Sequence, residues 1–564
     1  MKRVLGSWLL LALILIIDAR LRLAHLFALA RTPLFNTLGG DASTYNQHAL
    51  RIAGGDWLDG STAFFQDPLY PYFLAALYRL FGHDLLPVRL VQVGFAVVTC
   101  LLVGLVARQL AGPVWGNLAA LAWAHFKPDV FNTSELDKTA LGLMLTMGAL
   151  ALALRPSLAA RAGAGLLFGL VALVRGNVLL VVPVVALLYL LEERGPLRAR
   201  LRSPGGRSAA AFLACFALVL APVTARNRVV SGEWILTTSG AGSVLYLGNH
   251  LGNHFGAYDA PPFVRGEAVF EELDFRLEAE RRVGHPLTAR QASAYWWDEA
   301  LRVMAGSPAR TLYRFGLKLW LVVNDFEVGD TIGLEEVARY SPVLRSPLPG
   351  VGWFVPLAVL GALVSWRKPG VKVLLAFVAM LWVSIALFFV LARYRVFLVP
   401  ALAVLSALGG AWLVEAARAR KVKAVLGAGA LLVMVGVVVF IPPPAARLSP
   451  AIGPLNVARV FMLAGDHAEA ERLLREAHAV APTQPGALCG LAELEFETRR
   501  LAQAREHLSA CLAADQRYRG AWLLLGRLEE AEGHDEAAVS ALRKALEQVP
   551  GEAEAAEGLR RLGR

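Results

Sequence analysis

The chain has 564 residues, 18% charged and 56% hydrophobic, with 56 Lys and Arg against 45 Asp and Glu for a net charge of +11. An ordinary soluble domain carries about a quarter charged residues, so this balance excludes a plain cytosolic enzyme. The apolar residues fall in blocks of about 15–25, the length a bilayer asks of a helix. Short Arg-rich gaps between them place the positive charge on membrane loops rather than on a nucleic-acid face.

Met-Lys-Arg opens the chain and an apolar run follows from Val4 to Ile17. Ala28-Leu-Ala30 resembles a signal cleavage site, but Asp18, Arg20 and Arg22 separate it from the run, so the segment reads as an uncleaved first span. Eleven spans are predicted, at about 4–24, 86–107, 113–126, 139–154, 162–175, 177–191, 208–225, 350–366, 373–391, 396–416 and 424–441. With the N-terminus inside, every second gap is basic: Arg108, then Arg155 and Arg161, then five Arg from Arg194 to Arg207. Arg367, Lys368 and Lys372 follow, and last Arg418, Arg420, Lys421 and Lys423. This is the positive-inside pattern, and it puts the C-terminus outside.

Two outer loops are too long to be connectors, about 25–85 and about 226–349. The first holds amphipathic stretches at Asp41–Ala53 and Pro68–Phe81. The second holds a charged helical stretch, Phe270–Arg282, and then Tyr313–Val323, which is read as interfacial because a crossing there would invert every later basic loop. Cys100 and Cys215 lie in apolar runs, whereas Cys489 and Cys511 could bridge only if their region is exported.

Beyond a Pro-rich linker at 442–452 the composition turns to Ala, Leu, Glu and Arg. From 442 to 564 there are 15 Lys and Arg against 18 Asp and Glu, so the tail is mildly acidic, while the rest of the chain holds 41 against 27. A 34-residue period relates Ala470, Ala504 and Ala538, then Leu474, Leu508 and Leu542, then Ala477, Cys511 and Ala545. With Trp522, Leu525, Gly526 and Pro550, the third copy resembles the tetratricopeptide pattern, and three such repeats are expected over 453–564.

Charged groups at the outer face are the candidates for chemistry, because charge in a membrane is costly and tends to mark a site. They are Asp41 in Gly-Gly-Asp-Ala-Ser-Thr-Tyr, Glu135 and Lys138 in the second outer loop, Arg175 inside an apolar run, and Arg393 and Arg395 around Tyr394. His48 lies two helical turns after Asp41. Tyr70 and Tyr72 are open to two readings, stacking on a sugar or an interfacial aromatic belt. His250 and His254 stand four apart among glycines that favour a loop over a metal-binding helix face.

The segments Gly40–Trp57, Gln66–Phe73, Tyr246–His250, Tyr295–Trp297, Asn324–Glu327 and Arg393–Pro400 resemble, in order, a bacterial GT-C membrane glycosyltransferase of the glycosyltransferase-39, protein O-mannosyltransferase-like type with a tetratricopeptide tail. The resemblance implies an all-α polytopic helix bundle over 1–441 with a helical repeat domain behind it. It implies transfer, with inversion, of a monosaccharide from a polyprenyl-phosphate donor to an acceptor hydroxyl on the outer side. Asp41 would be the general base, Glu135 the second acid, and Lys138, Arg175, Arg393 and Arg395 the donor-phosphate cations, with His48, Tyr70, Tyr72 and His250 around the cavity. Aminoarabinose-transferase-like members carry a Lys just before the Pro-rich start of the second amphipathic helix. Gln66 or Asp67 stands there, so Lys138 would share that work. A divalent cation, Mg or Mn, held by Asp41 and Glu135 would suit a phosphate leaving group.

The chain would be a multi-pass protein of the bacterial inner membrane with its repeats in the periplasm, where they could recruit an acceptor protein or glycan. No nucleic acid is expected. The alternatives are a large-loop glycan polymerase or ligase relying on Arg265, His250 and His254, a transporter, or a membrane-held scaffold presenting the tail.

Overall fold

A computed structural model describes residues 2–264, 268–330, 332–447, 449–518, 520–548 and 552–563. Among them every regular element is a helix. The chain divides into two compact units, one of 1–28, 38–330 and 338–445, the other of 29–37, 331–337 and 446–564.

The first unit is the membrane bundle. It opens with α1 (Lys2–Leu29), α2 (Gly40–Ala53), α3 (Leu69–Phe81), α4 (Leu85–Ala111), α5 (Pro113–Ala124), α6 (Lys127–Ser134), α7 (Thr139–Ala153) and α8 (Leu158–Ala172). Each of the eleven apolar blocks coincides with a helix. Among the described residues five helices are long and apolar enough to cross a membrane: Leu85–Ala111, Pro204–Ser231, Gly370–Leu387, Ala392–Arg418 and Val422–Phe440. Others are shorter, such as Thr139–Ala153 and Leu158–Ala172. The chain is a multi-pass membrane protein.

Where helices of this unit cross, small residues bring the backbones together, the device of packing in lipid. A Cβ on Gly361 would sit 1.9 Å from the Leu405 carbonyl oxygen and one on Gly409 would sit 2.2 Å from that of Leu357. Either substitution would push Val355–Ser365 and Val399–Arg418 apart. The stretch read as interfacial is the helix Pro308–Val323, which exposes Leu312 and Tyr313 while Arg314 and Lys318 turn inward.

In the second unit helices pair as Ser449–Leu463 with His467–Val480, Pro485–Glu497 with Leu501–Ala514, and Ala521–Glu532 with Asp535–Gln548, followed by Ala553–Arg561. The first of these begins inside the stretch read as a linker. All nine residues of the 34-residue period are buried, as tetratricopeptide packing requires. Pro550 of the third copy lies outside the described residues. Cys489 and Cys511 are joined in a disulfide across the middle pair, with their Cα atoms 5.5 Å apart. Cys511 occupies the position that is Ala in the other two copies, close enough to its neighbouring helix for the bridge.

A bridge spanning 22 residues removes conformational freedom from the unfolded tail and adds about 2–4 kcal/mol of stability. Cys489→Ala is therefore expected to lower the tail's urea midpoint. In the unaltered protein both thiols should resist maleimide until a reductant is added, which a gel-shift assay on denatured protein reads directly.

Candidate functional site

Gly40 adopts φ +54°, a left-handed conformation suited to glycine, and so turns the chain into α2 with Asp41 in its first turn. The helix N-terminus favours the carboxylate there. Gln66 Nε2 donates to Asp41 Oδ1 at 2.9 Å and Arg393 Nη2 donates to Oδ2 at 2.6 Å. Arg393 also pairs through Nε with Asp330 Oδ2 at 2.7 Å. Burial raises the Asp41 carboxyl, but the charges of Arg393 and Lys138, with hydrogen bonds from Arg393 and Gln66, outweigh burial and hold it below the usual carboxylate range.

Lys138 stands at the start of α7, whose first turn is capped by Asp137 accepting from Thr139 N at 2.8 Å. Its ammonium pairs with Asp67, one of the two residues read as standing in place of the aminoarabinose-transferase-like Lys. Burial lowers the Lys138 ammonium, against the pull of Asp67, and the charge of Arg175 adds to the lowering.

Arg175 follows α8 and is 4% exposed. Its guanidinium lies over the rings of Tyr394, at 4.4 Å, and Phe397, at 4.6 Å. Nε and Nη2 are buried and have no hydrogen-bond partner among the described residues. A buried guanidinium left without oxygen partners is costly, and here it faces Lys138 and Arg393 within range of their charges. Lys138 and Arg393 have carboxylate partners in Asp67, Asp41 and Asp330, so among the described residues Arg175 is the one of the three with no hydrogen-bonded anion.

Glu135 is held by its backbone. Gln92 Nε2 donates to its carbonyl at 2.7 Å and to that of Thr133 at 3.0 Å, while Tyr70 donates to Gln92 Oε1 at 2.6 Å. Burial pushes the Glu135 carboxyl to about 7, with Asp137 and Asp330 adding to it against Arg89.

Four candidates take other roles. Arg395 is fully buried and is not available to a phosphate: it donates to the carbonyls of Leu321, Asn324 and Phe326 and pairs with Glu327 at 2.8 Å. Tyr70 is fully buried beside Tyr45, so it packs the core and does not face a sugar. Tyr72 donates to the Trp57 carbonyl at 2.6 Å. His250 stacks on Tyr246, accepts from Gly252 N at 3.1 Å and contacts the Asp259 carbonyl at 3.0 Å, which fixes a turn and leaves no ring nitrogen for a metal or substrate. His254 contacts Arg310, and Arg265 lies outside the described residues. His48 lines a cavity with its Nδ1 on Asp59 at 2.5 Å.

Sequence reasoning missed Asp67, Asp330 and Asp137 as partners, and also Glu271. Glu271 accepts from Tyr258 at 3.0 Å, and burial together with the charge of Asp41 raises it to about 7. Asp330 could have been noticed, since it closes the acidic run that begins at Asn324-Asp-Phe-Glu. Glu271 carries no local signal, being one acid among several on a charged helix.

Residues 66–224 match the family model described as dolichyl-phosphate-mannose-protein mannosyltransferase. Residues 461–518 and 519–562 match tetratricopeptide repeat models. No curated protein matches the chain in sequence. Among solved structures, an oligosaccharyltransferase of Archaeoglobus fulgidus, with zinc and sulfate, matches 77% of this chain at 15% identity and a TM-score of 0.43. This chain spans about half, 53%, of that protein. ArnT from Cupriavidus metallidurans, solved bound to undecaprenyl phosphate, matches 97% of this chain and 81% of its own at 15% identity and a TM-score of 0.38. The mannosyltransferase signature thus lies in this chain's membrane unit, and the tetratricopeptide matches fall in its tail.

A carboxyl raised by burial binds more protons folded than unfolded, so its stabilising share is full below its unfolded value near 4.5 and is lost as pH rises through about 7. Glu135→Gln is therefore expected to flatten the fall in thermal midpoint between pH 4.5 and 7 and to raise the midpoint at pH 8, as read by fluorescence-detected unfolding in detergent.

Proposed function

We propose that the protein moves a monosaccharide from a polyprenyl-phosphate carrier to an acceptor hydroxyl at the outer membrane face. The observation that carries this reading is the buried, unpartnered guanidinium of Arg175 beside Lys138, Arg393 and the ionised Asp41. Polyprenyl phosphate supplies the oxygen partners that Arg175 lacks, and its charge grows as the glycosidic bond breaks, where fixed cations stabilise it most. The acceptor oxygen attacks the anomeric carbon while the carbon–phosphate-oxygen bond breaks. The acceptor proton passes to the Asp41 carboxylate, the carrier phosphate leaves as an anion, and the configuration inverts. Asp41 is kept ionised by Arg393 at some loss of basicity, and transfer of Arg393 to the leaving phosphate restores it.

A divalent cation at Asp41 and Glu135 would have to displace Gln66 and Arg393 from both Asp41 oxygens. No step here depends on one, and turnover with EDTA against added Mg or Mn tests the point. The basic inner gaps and the Cys489–Cys511 bridge support a cytoplasmic N-terminus and a tail on the oxidising, periplasmic side of a bacterial inner membrane. The tail's repeats then serve to recruit the acceptor or a partner.

Purified protein in nanodiscs, offered a panel of radiolabelled polyprenyl-phosphate sugars with membrane extract as acceptor, tests the reading. Asp41→Asn should lower turnover by about 10²–10⁴-fold, the share of a general base. Arg175→Met should weaken donor binding about 10–100-fold, as loss of a charge-assisted contact does, with an unfolding temperature equal to or above wild type. Arg395→Met, by contrast, should lower the unfolding temperature. If Arg175→Met turned over normally, the anion site would lie elsewhere.

A further inference from the structure

Several exposed arginines of this protein sit against a glutamate: Arg281 meets Glu278, Arg302 meets Glu299, Arg472 meets Glu469 and Arg561 meets Glu530. One segment is built differently. Between the apolar helices Val181–Leu190 and Pro204–Ser231, and on the first turn of the latter, stand Arg194, Arg198, Arg200, Arg202 and Arg207. All but Arg200 are exposed, and among the described residues no carboxylate or other acceptor meets these four guanidinium groups. The acids nearby are too few to neutralise them. Glu192 is held by Arg161 at 2.6 and 2.8 Å, which leaves Glu193 against five cations.

Close backbone approaches set the shape of this segment. Leu197–Arg202 is a short helix that folds directly into the next one: Ser203 Oγ donates to the Arg200 carbonyl at 2.7 Å and accepts from Gly206 N at 3.1 Å. A Cβ on Gly205 would stand 2.3 Å from the Tyr189 carbonyl oxygen, and one on Gly206 would stand 2.2 Å from that of Arg200. Only glycines let the turn close. Held in this way, Leu197 and Leu201 lie one turn apart on one face, 63% and 55% exposed. At about 100° per residue, Arg198 and Arg202 edge that face on one side and Arg200 on the other. An apolar strip edged by cations is the form of a helix that lies in a membrane interface.

Two properties separate the segment from a charge bias that merely orients a membrane chain. Lys and Arg serve orientation alike, yet no Lys occurs from 155 to 207. A guanidinium, unlike an ammonium, takes phosphate oxygens through a planar fork of two donors. Orientation also asks nothing of apolar side chains, whereas here two leucines are exposed among the cations. Anionic lipids complement both features, with phosphate for the arginines and acyl chains for the leucines. We propose that residues 194–207 dock the headgroups of anionic phospholipids of the surrounding bilayer. Arg194, Arg198, Arg202 and Arg207 take phosphate oxygens, and Leu197 and Leu201 enter the acyl boundary. The inference needs only the multi-pass fold and does not rest on the transferase reading.

The test titrates phosphatidylglycerol and, separately, phosphatidylcholine into the full chain in detergent and counts retained lipid by native mass spectrometry. Wild type should retain phosphatidylglycerol in preference. Each arginine near an anionic surface contributes about fivefold. Arg194→Gln, Arg198→Gln, Arg202→Gln and Arg207→Gln together should therefore weaken retention about a hundredfold or more. The same four positions changed to Lys keep the charge and should still weaken it about tenfold, through loss of the forked contacts. Neither variant should unfold earlier in lipid-free detergent, since these side chains hold no partner among the described residues. Equal retention of the two lipids by wild type, or undiminished retention by the Gln variant, would overturn the proposal. Undiminished retention by the Lys variant would reduce the segment to an orienting charge and overturn it as well. If the Gln variant lost polyprenyl-phosphate binding in parallel with phosphatidylglycerol, the segment would belong to the carrier and the proposal would fall.

Discussion

A cation taken out of water must find oxygen atoms, and the loop segments of the membrane unit are built around that demand. Arg22 of α1 is 1% exposed and meets Asp18, Asp129 and Thr133, which anchors α6 and with it the loop carrying Glu135 and Lys138. Arg314 donates to the carbonyls of His250 and Leu251. Lys318 donates to those of Gly248 and Phe388 and to Asn249 Oδ1, while Arg395 gathers three more carbonyls. Arg22 joins two helices, while Arg314, Lys318 and Arg395 tie irregular segments to a helix. Water would otherwise have to supply the missing partners at the membrane surface.

Against that background Arg175 is conspicuous. Aromatic faces of Tyr394 and Phe397 offer it some stabilisation, but they supply no oxygen atoms for Nε and Nη2. The same scaffolding that satisfies its neighbours leaves it unsatisfied, within range of a carboxylate held ionised by Arg393. Burial does not set Arg175 apart, since Arg22 and Arg395 are as buried; the lack of an oxygen partner among the described residues does.

The tail follows another logic. Its interior is made of small and aliphatic side chains at a fixed period, with charges on the surface as Arg–Glu pairs such as Arg472 with Glu469 and Arg561 with Glu530. Exposed pairs of this kind contribute little each, so the repeats rest on packing and, in the middle pair, on the disulfide. Cys511 had the look of a small core residue in the repeat, and its bond to Cys489 depends on two helices meeting across a turn.

Helices, their order, the repeat and the multi-pass character were legible in the sequence, because hydrophobic blocks, basic gaps and a 34-residue period are one-dimensional signals that physics reads locally. Asp41, Lys138, Arg175 and Arg393 could also be singled out, since a charge inside or beside an apolar block has few reasons to be there. What those charges touch was decided by the tertiary structure alone. Arg393 and Arg395 are two residues apart in sequence, yet one meets Asp41 and Asp330 and the other a fan of carbonyls. Tyr70 and His250 looked like cavity residues and proved to be a core ring and a turn lock, and Asp67, Asp59 and Glu271 gained their places from segments distant along the chain. Sequence by itself determined which groups are expensive to bury; only the fold could decide which of them are compensated, because compensation depends on the distance between atoms that the chain order does not bring together.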